Sequence, residues 1–152
     1  MIESDCRKVF FSGDTGLSDQ FTQIGADHGP FDLVMLEVGA HHPAWGDIHL
    51  GPENALQALA LLGGGAFLPV HWGTFALAMH DWDEPAETLL ALAPRQGARL
   101  VMPRLGEPVE PAHAAEPTPW WRGAGVPSKR QPAASPEPQP LTLPKSLPWP
   151  LD

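Results

Sequence analysis

Apolar positions fall in short runs across the first two-thirds of the chain, each closed by glycine or proline. Lys8–Ser12 (KVFFS) is one such run, stopped by Gly13. Phe31–Val38 (FDLVMLEV) is apolar on both faces at Leu33–Leu36, as a buried strand should be, and ends at Gly39. Ala66–Val70 predicts a further short strand, and Pro69 within it argues for an edge or a strand end. Arg99–Met102 predicts the last one. Helical spacing fills the intervals. Ser18 can cap a helix through about Gly25, with Phe21 and Ile24 on one face and Gly29 beyond its end. Gly51-Pro52 opens a second helix, since proline suits the first helical position, and Leu56, Leu59 and Leu62 form its apolar stripe before Gly63-Gly64-Gly65. Glu84–Ala93 predicts a third. Alternating strands and helices of this kind predict an α/β fold with adjacent parallel strands.

This patterning stops near Glu107. The chain has 19 prolines in 152 residues, and they crowd the remainder. Proline breaks both helices and ladders, so the expected organisation is a folded unit over 1–106 and a disordered, polyproline-like tail over 107–152. Trp120-Trp121 is the exception, because two indoles carry enough apolar area to dock on the domain. The functional alternative for the tail is a ligand for a groove-type module, around Ser135–Pro140 or Leu143–Pro150.

Charge narrows the partners. Acids outnumber bases 18 to 9, for a net charge of −9, which disfavours non-specific binding to nucleic acid or anionic lipid. The single cysteine, Cys6, excludes an internal disulfide framework and fits a reducing compartment. No apolar run approaches the ~20 residues that cross a bilayer. No basic stretch followed by an apolar one opens the chain, so no signal peptide is expected and a cytoplasmic location is.

In open α/β sheets, ligands gather beyond the carboxyl ends of the strands. Asp14 stands there, inside Gly13-Asp14-Thr15-Gly16, and so does His71, inside His71-Trp72-Gly73-Thr74. Carboxylate and imidazole together suit zinc or a similar divalent ion. On spacing alone, a strand-end aspartate also serves as a turn residue and a lone histidine as a structural one. His41, His42 and His49 occupy the loop between Gly39 and the Pro52 helix, which should face the same rim. His28 sits past a helix end, where a cation complements the dipole, and His80 and His113 read as solvated surface.

Val9–Gly16 resembles the "GDTG" segment of the metallo-β-lactamase superfamily, and Pro69–Phe75 resembles the late "HWGTF" segment of one branch. That branch contains N-acylphosphatidylethanolamine-hydrolysing phospholipase D and its bacterial relatives. Between the two, Val38–Trp45 and His49–Ala55 are similar to the branch's "PIGAY-P-W" loop and its "H-x-x-P-E-x-A" helix start. The resemblance covers Ile2 to Gly106. It implies the C-terminal half of an αββα sandwich. It also implies that Asp14 bridges two zinc ions, that His71 is a ligand of the second, and that His49 contacts or protonates substrate. In such enzymes the ions lower the pKa of a bound water and stabilise charge developing on phosphorus or carbonyl.

Three departures qualify the resemblance. His41 stands where the branch often has tyrosine, and the loop from Trp45 to His49 is short. The superfamily's "H-x-H-x-D-H" motif belongs before Asp14, where thirteen residues stand without a histidine. Met1-Ile2-Glu3 reads as part of a hairpin leading into Lys8–Ser12. The expectation is therefore a metal-dependent hydrolase, of the phosphodiesterase or phospholipase D type, acting on a small-molecule or lipid-like phosphodiester. It would carry part of a dinuclear zinc site, and the N-terminal half or a second copy would complete it. The alternative is a non-catalytic half-fold that pairs with another chain or acts through its tail.

Overall fold

A computed structural model of the chain describes residues 1–124. Five strands form one sheet in the order β1-β2-β3-β4-β5: β1 (Ile2–Glu3), β2 (Lys8–Phe11), β3 (Leu33–Glu37), β4 (Ala66–Val70) and β5 (Arg99–Leu100). β1 and β2 form the antiparallel hairpin, with Ile2 opposite Val9, and every other neighbouring pair is parallel. Helices α1 (Gln20–His28), α2 (Gly51–Leu61) and α3 (Glu84–Leu92) are the connections. The α/β architecture expected from the alternation is thus present, with adjacent strands parallel from β2 to β5.

The helices cover one face of the sheet. Phe10, Val34, Leu36, Phe67 and Leu100 turn toward it and join Phe21, Leu56, Leu59 and Leu89 in one buried core. Side chains alternate along a strand, so Val9, Phe11, Leu33, Met35, Leu68 and Val70 belong to the opposite face. None of these six is fully buried among the described residues, and Phe11 is 54% exposed. One covered face and one open apolar face make up one sheet-and-helix layer of a sandwich.

Two local readings shift. α1 runs through Gly25 to His28 before Gly29 closes it, and its start is marked by the Ser18 carbonyl accepting from Phe21 N–H at 3.3 Å rather than by a hydroxyl cap. Pro69 lies in a strand with neighbours on both sides, yet its position obeys the rule for proline. Val38 N–H donates to Val70 O, whereas Val101 N–H donates to Phe67 O, so Phe67 and Pro69 face β5. The β4–β5 ladder closes at Phe67 and Leu100, leaving no donor required at Pro69. Its carbonyl instead accepts from Trp72 Nε1 at 3.1 Å.

The proline-rich stretch does not leave the domain at Glu107. Arg7 pairs with Glu110 at 3.2 Å, and the Arg99 guanidinium donates to the Pro111 carbonyl. Short 3-10 turns form at Pro111–His113 and Trp120–Gly123. Trp121 is wholly buried, edge-on to Trp72 with ring centres 5.3 Å apart, and its Nε1 donates to Glu87 Oε1 at 2.8 Å. Burial of this indole outweighs the inability of the surrounding prolines to join a ladder. Packing thus extends to Trp121, one of the two indoles whose apolar area allowed docking. The two segments considered as groove ligands, 135–140 and 143–150, lie outside the described residues.

Candidate metal centre

Three loops meet at the carboxyl end of the sheet, and Glu37 holds them. It is the last residue of β3, and its side chain is wholly buried. Its Oε1 accepts from Thr15 N–H at 2.7 Å and from Leu50 N–H at 3.3 Å, tying the loop after β2 and the entrance of α2 to one carboxylate oxygen. Its own N–H donates to Ser12 Oγ at 3.3 Å. Two glycines make the convergence possible. A Cβ at Gly16 would overlap the Asp47 carbonyl, so only glycine lets the loop before His49 descend on the Asp14 loop. A Cβ at Gly39 would overlap the carbonyl of His71, which itself adopts a left-handed backbone with φ of 62°.

The three residues expected at the site are brought together. His71 Nε2 lies 3.6 Å from Asp14 Oδ1, and His71 Nδ1 lies 3.5 Å from Glu37 Oε2. His49 Nδ1 lies 2.5 Å from that same Glu37 oxygen, and the two imidazoles stack with centres 5.1 Å apart. Glu37, His49 and His71 present ligand atoms all within 4.8 Å of one another. The donor set fits a zinc-like ion. Two tetrahedral ligands at the usual zinc distances stand about 3.4 Å apart, close to the Asp14–His71 separation. Asp14 is largely exposed.

Glu37 is the residue that the sequence reading passed over. An acid inside FDLVMLEV is its only local signal, and the apolar run conceals it.

The other rim histidines do not join the cluster. His42 Nδ1 accepts from Ala44 N–H at 3.2 Å, capping the 3-10 turn Pro43–Trp45. His41 turns toward His80, with ring centres 4.7 Å apart. His80 is thus half-buried against a partner rather than solvated. Burial, reinforced by the neighbouring His80, holds the His41 pKa below its ordinary value. Beside His49 opens a cleft of about 240 Å³ bordered by His42, Trp45, Asp47 and Glu53.

Comparisons with known proteins agree with this geometry. A profile described as "Beta-lactamase superfamily domain" matches residues 1–72. An uncharacterized protein of Mycobacterium tuberculosis is 49% identical over 118 residues, which are 76% of this chain and 32% of that protein. The N-acyl-phosphatidylethanolamine-hydrolyzing phospholipase D 1 of Caenorhabditis elegans is 34% identical over 90 residues, covering 57% of this chain and 25% of the enzyme. Among solved structures, Igni18, described as a novel metallo hydrolase from Ignicoccus hospitalis, superposes with a TM-score of 0.53 at 27% identity, covering 70% of this chain and 42% of that one. The chain spans about a third of the length of its mycobacterial relative. The profile match over residues 1–72, the relatives and the shared sheet-and-helix layer all support the metallo-β-lactamase superfamily as the family of this fold.

Proposed function

We propose that this chain carries part of the dinuclear zinc centre of a metal-dependent hydrolase acting on a phosphodiester, either a small molecule or a lipid-like one. The observation that carries the reading is the 3.6 Å approach of Asp14 Oδ1 to His71 Nε2, with His49 stacked on His71. Asp14 and His71 would hold the ions, with His71 serving the second of them. Such ions supply Lewis acidity and an activated water when bound. His49 borders the cleft beside Trp45, where it would contact substrate or, after taking a proton on Nε2, pass that proton to the leaving oxygen. The single cysteine, exposed Cys6, suits a reducing, cytoplasmic setting. No helix among the described residues is long and apolar enough to cross a membrane.

A catalytic zinc normally takes about three protein ligands and a structural one about four. Asp14 and His71 supply two, so the chain by itself binds zinc weakly. The test is to fuse the preceding portion of the mycobacterial relative to this chain, then measure zinc by plasma mass spectrometry and turnover of a generic phosphodiester. Tight zinc binding with turnover supports the proposal. A fused protein that folds, yet neither binds zinc nor hydrolyses the phosphodiester, defeats it.

The open sheet face favours a second reading, a non-catalytic half-fold that acts by pairing. Phe11, Leu33 and Met35 on that face are where another sheet would pack. Sedimentation of the chain alone separates the two readings: stable dimers without zinc-dependent turnover in the fused protein would favour pairing.

A further inference from the structure

Resting on the metal reading above, we propose that Glu37 is a positioning residue: its Oε2 takes the Nδ1–H of His49 and stands close enough to His71 Nδ1 to orient that ring as well, so that His71 turns its Nε2 to Asp14. The distances are 2.5 Å to His49 Nδ1 and 3.5 Å to His71 Nδ1, while the opposite nitrogen of His71 is the one beside Asp14. A neutral imidazole has one donor and one acceptor nitrogen, and a carboxylate can only accept. A hydrogen bond from Nδ1 to Glu37 therefore leaves Nε2 as the lone-pair nitrogen, which a ligand or a proton acceptor requires.

Glu37 is placed for this work. Its Oε1 is taken by two main-chain donors, Thr15 and Leu50, so the carboxylate cannot rotate without stranding them. Oε2 is thereby fixed toward the two rings. The side chain is wholly buried, which costs free energy unless its acceptors are filled; His49 fills Oε2, and His71 Nδ1 stands 3.5 Å from it. The same carboxylate also sets the order in which the loops converge, because Thr15 follows Asp14 and Leu50 follows His49 directly in the chain.

The alternative role for Glu37, suggested by the clustering of its oxygen with both histidines, is direct ligation. Geometry separates the two. In the positioning arrangement metal contacts Nε2, and in the ligand arrangement Nδ1 of His49 must give up its 2.5 Å contact to make room.

The experiment is imidazole NMR on the full chain, labelled with nitrogen-15, at about pH 8, above the ordinary histidine range. His49 and His71 should both show the Nδ1–H tautomer, the minor form of free histidine. Glu37→Gln keeps an oxygen for Thr15 and Leu50 but turns an amide donor toward the rings, so His49 should switch to the Nε2–H tautomer. Added zinc should move the His71 Nε2 resonance of the wild type, and Glu37→Gln should weaken zinc binding about 10–100-fold. Its far-UV circular dichroism should be unchanged. Glu37→Ala strands two buried N–H groups, and loss of folding in that variant accords with the proposal. Nε2–H tautomers in the wild type, or zinc shifts at Nδ1, would overturn it even if zinc binds. The expected tautomers with no zinc bound at any concentration, in the chain or in the fused protein, would overturn the metal reading and the metal-facing part of this proposal with it.

Discussion

Nε2 of His71 and Oδ1 of Asp14 lie 3.6 Å apart, joining the loop after β2 to the loop after β4 across the carboxyl edge of the sheet. The Asp14 side chain accepts no hydrogen bond among the described residues. In the fused protein, Asp14→Ala should therefore remove zinc and turnover together while melting stays within a few degrees of the parent. His71→Ala should chiefly weaken the second ion. His49→Ala should slow turnover by about 10²–10⁴-fold, the range for a lost proton-transfer group, with zinc content near normal. Full zinc occupancy after Asp14→Ala would refute the assignment.

Trp121 is the largest wholly buried side chain of the described residues. Trp121→Ala should cost about 3–5 kcal/mol, the range for deleting a core aromatic. Trp121→Phe should cost less, since an aromatic ring is kept while the bond to Glu87 and part of the indole's volume are lost. Equilibrium denaturation in urea measures both. An alanine variant as stable as the parent would mean that the indole does not dock in solution.

Glu87 links this clasp to pH. Arg122 donates to it through Nε at 2.8 Å and Nη2 at 2.6 Å, and with Trp121 these bonds hold its carboxyl down at about 2 against an ordinary 4.5. A carboxyl depressed in the folded state stabilises fully above the ordinary value, and that contribution disappears as pH falls from about 4.5 toward about 2. The pair is partly exposed, so solvent screening leaves about 1 kcal/mol. Glu87→Gln should lower stability by that amount at neutral pH and should converge with the wild type near pH 2. A constant difference at every pH would refute the account.

The open sheet face should bind a hydrophobic dye and make the chain self-associate as concentration rises. Phe11→Lys places a charge on that face, at an exposed strand position, and should reduce both effects. A monodisperse monomer in light scattering, with no dye binding by the wild type, would contradict this.

Most of the fold was legible because each element announced itself locally. Ala66–Val70 matches β4 residue for residue, and Gly51-Pro52 marks the start of α2. Asp14 and His71 were legible as strand-end residues within recognisable motifs. Glu37 was not, because its meaning lies in contacts with Thr15, His49, Leu50 and His71, which only the folded sheet brings together. An acid in a strand reads as a flaw in the apolar pattern until its partners are known. The pairing of His41 with His80 was hidden for the same reason, since each sits in a separate loop. Proline content says nothing of where Trp121 packs, because composition weighs all residues alike and the burial of one indole depends on its contacts.

Trp72 directly follows His71, and it meets Trp120 at 6.0 Å and Trp121 at 5.3 Å between ring centres, with Trp120 and Trp121 nearly perpendicular. Three indoles this close and mutually inclined share their excited states. The chain thus contains an optical gauge one peptide bond from the histidine proposed to hold metal. Exciton bands in its circular dichroism, and energy transfer within its fluorescence, should register any shift of that loop without a label being attached.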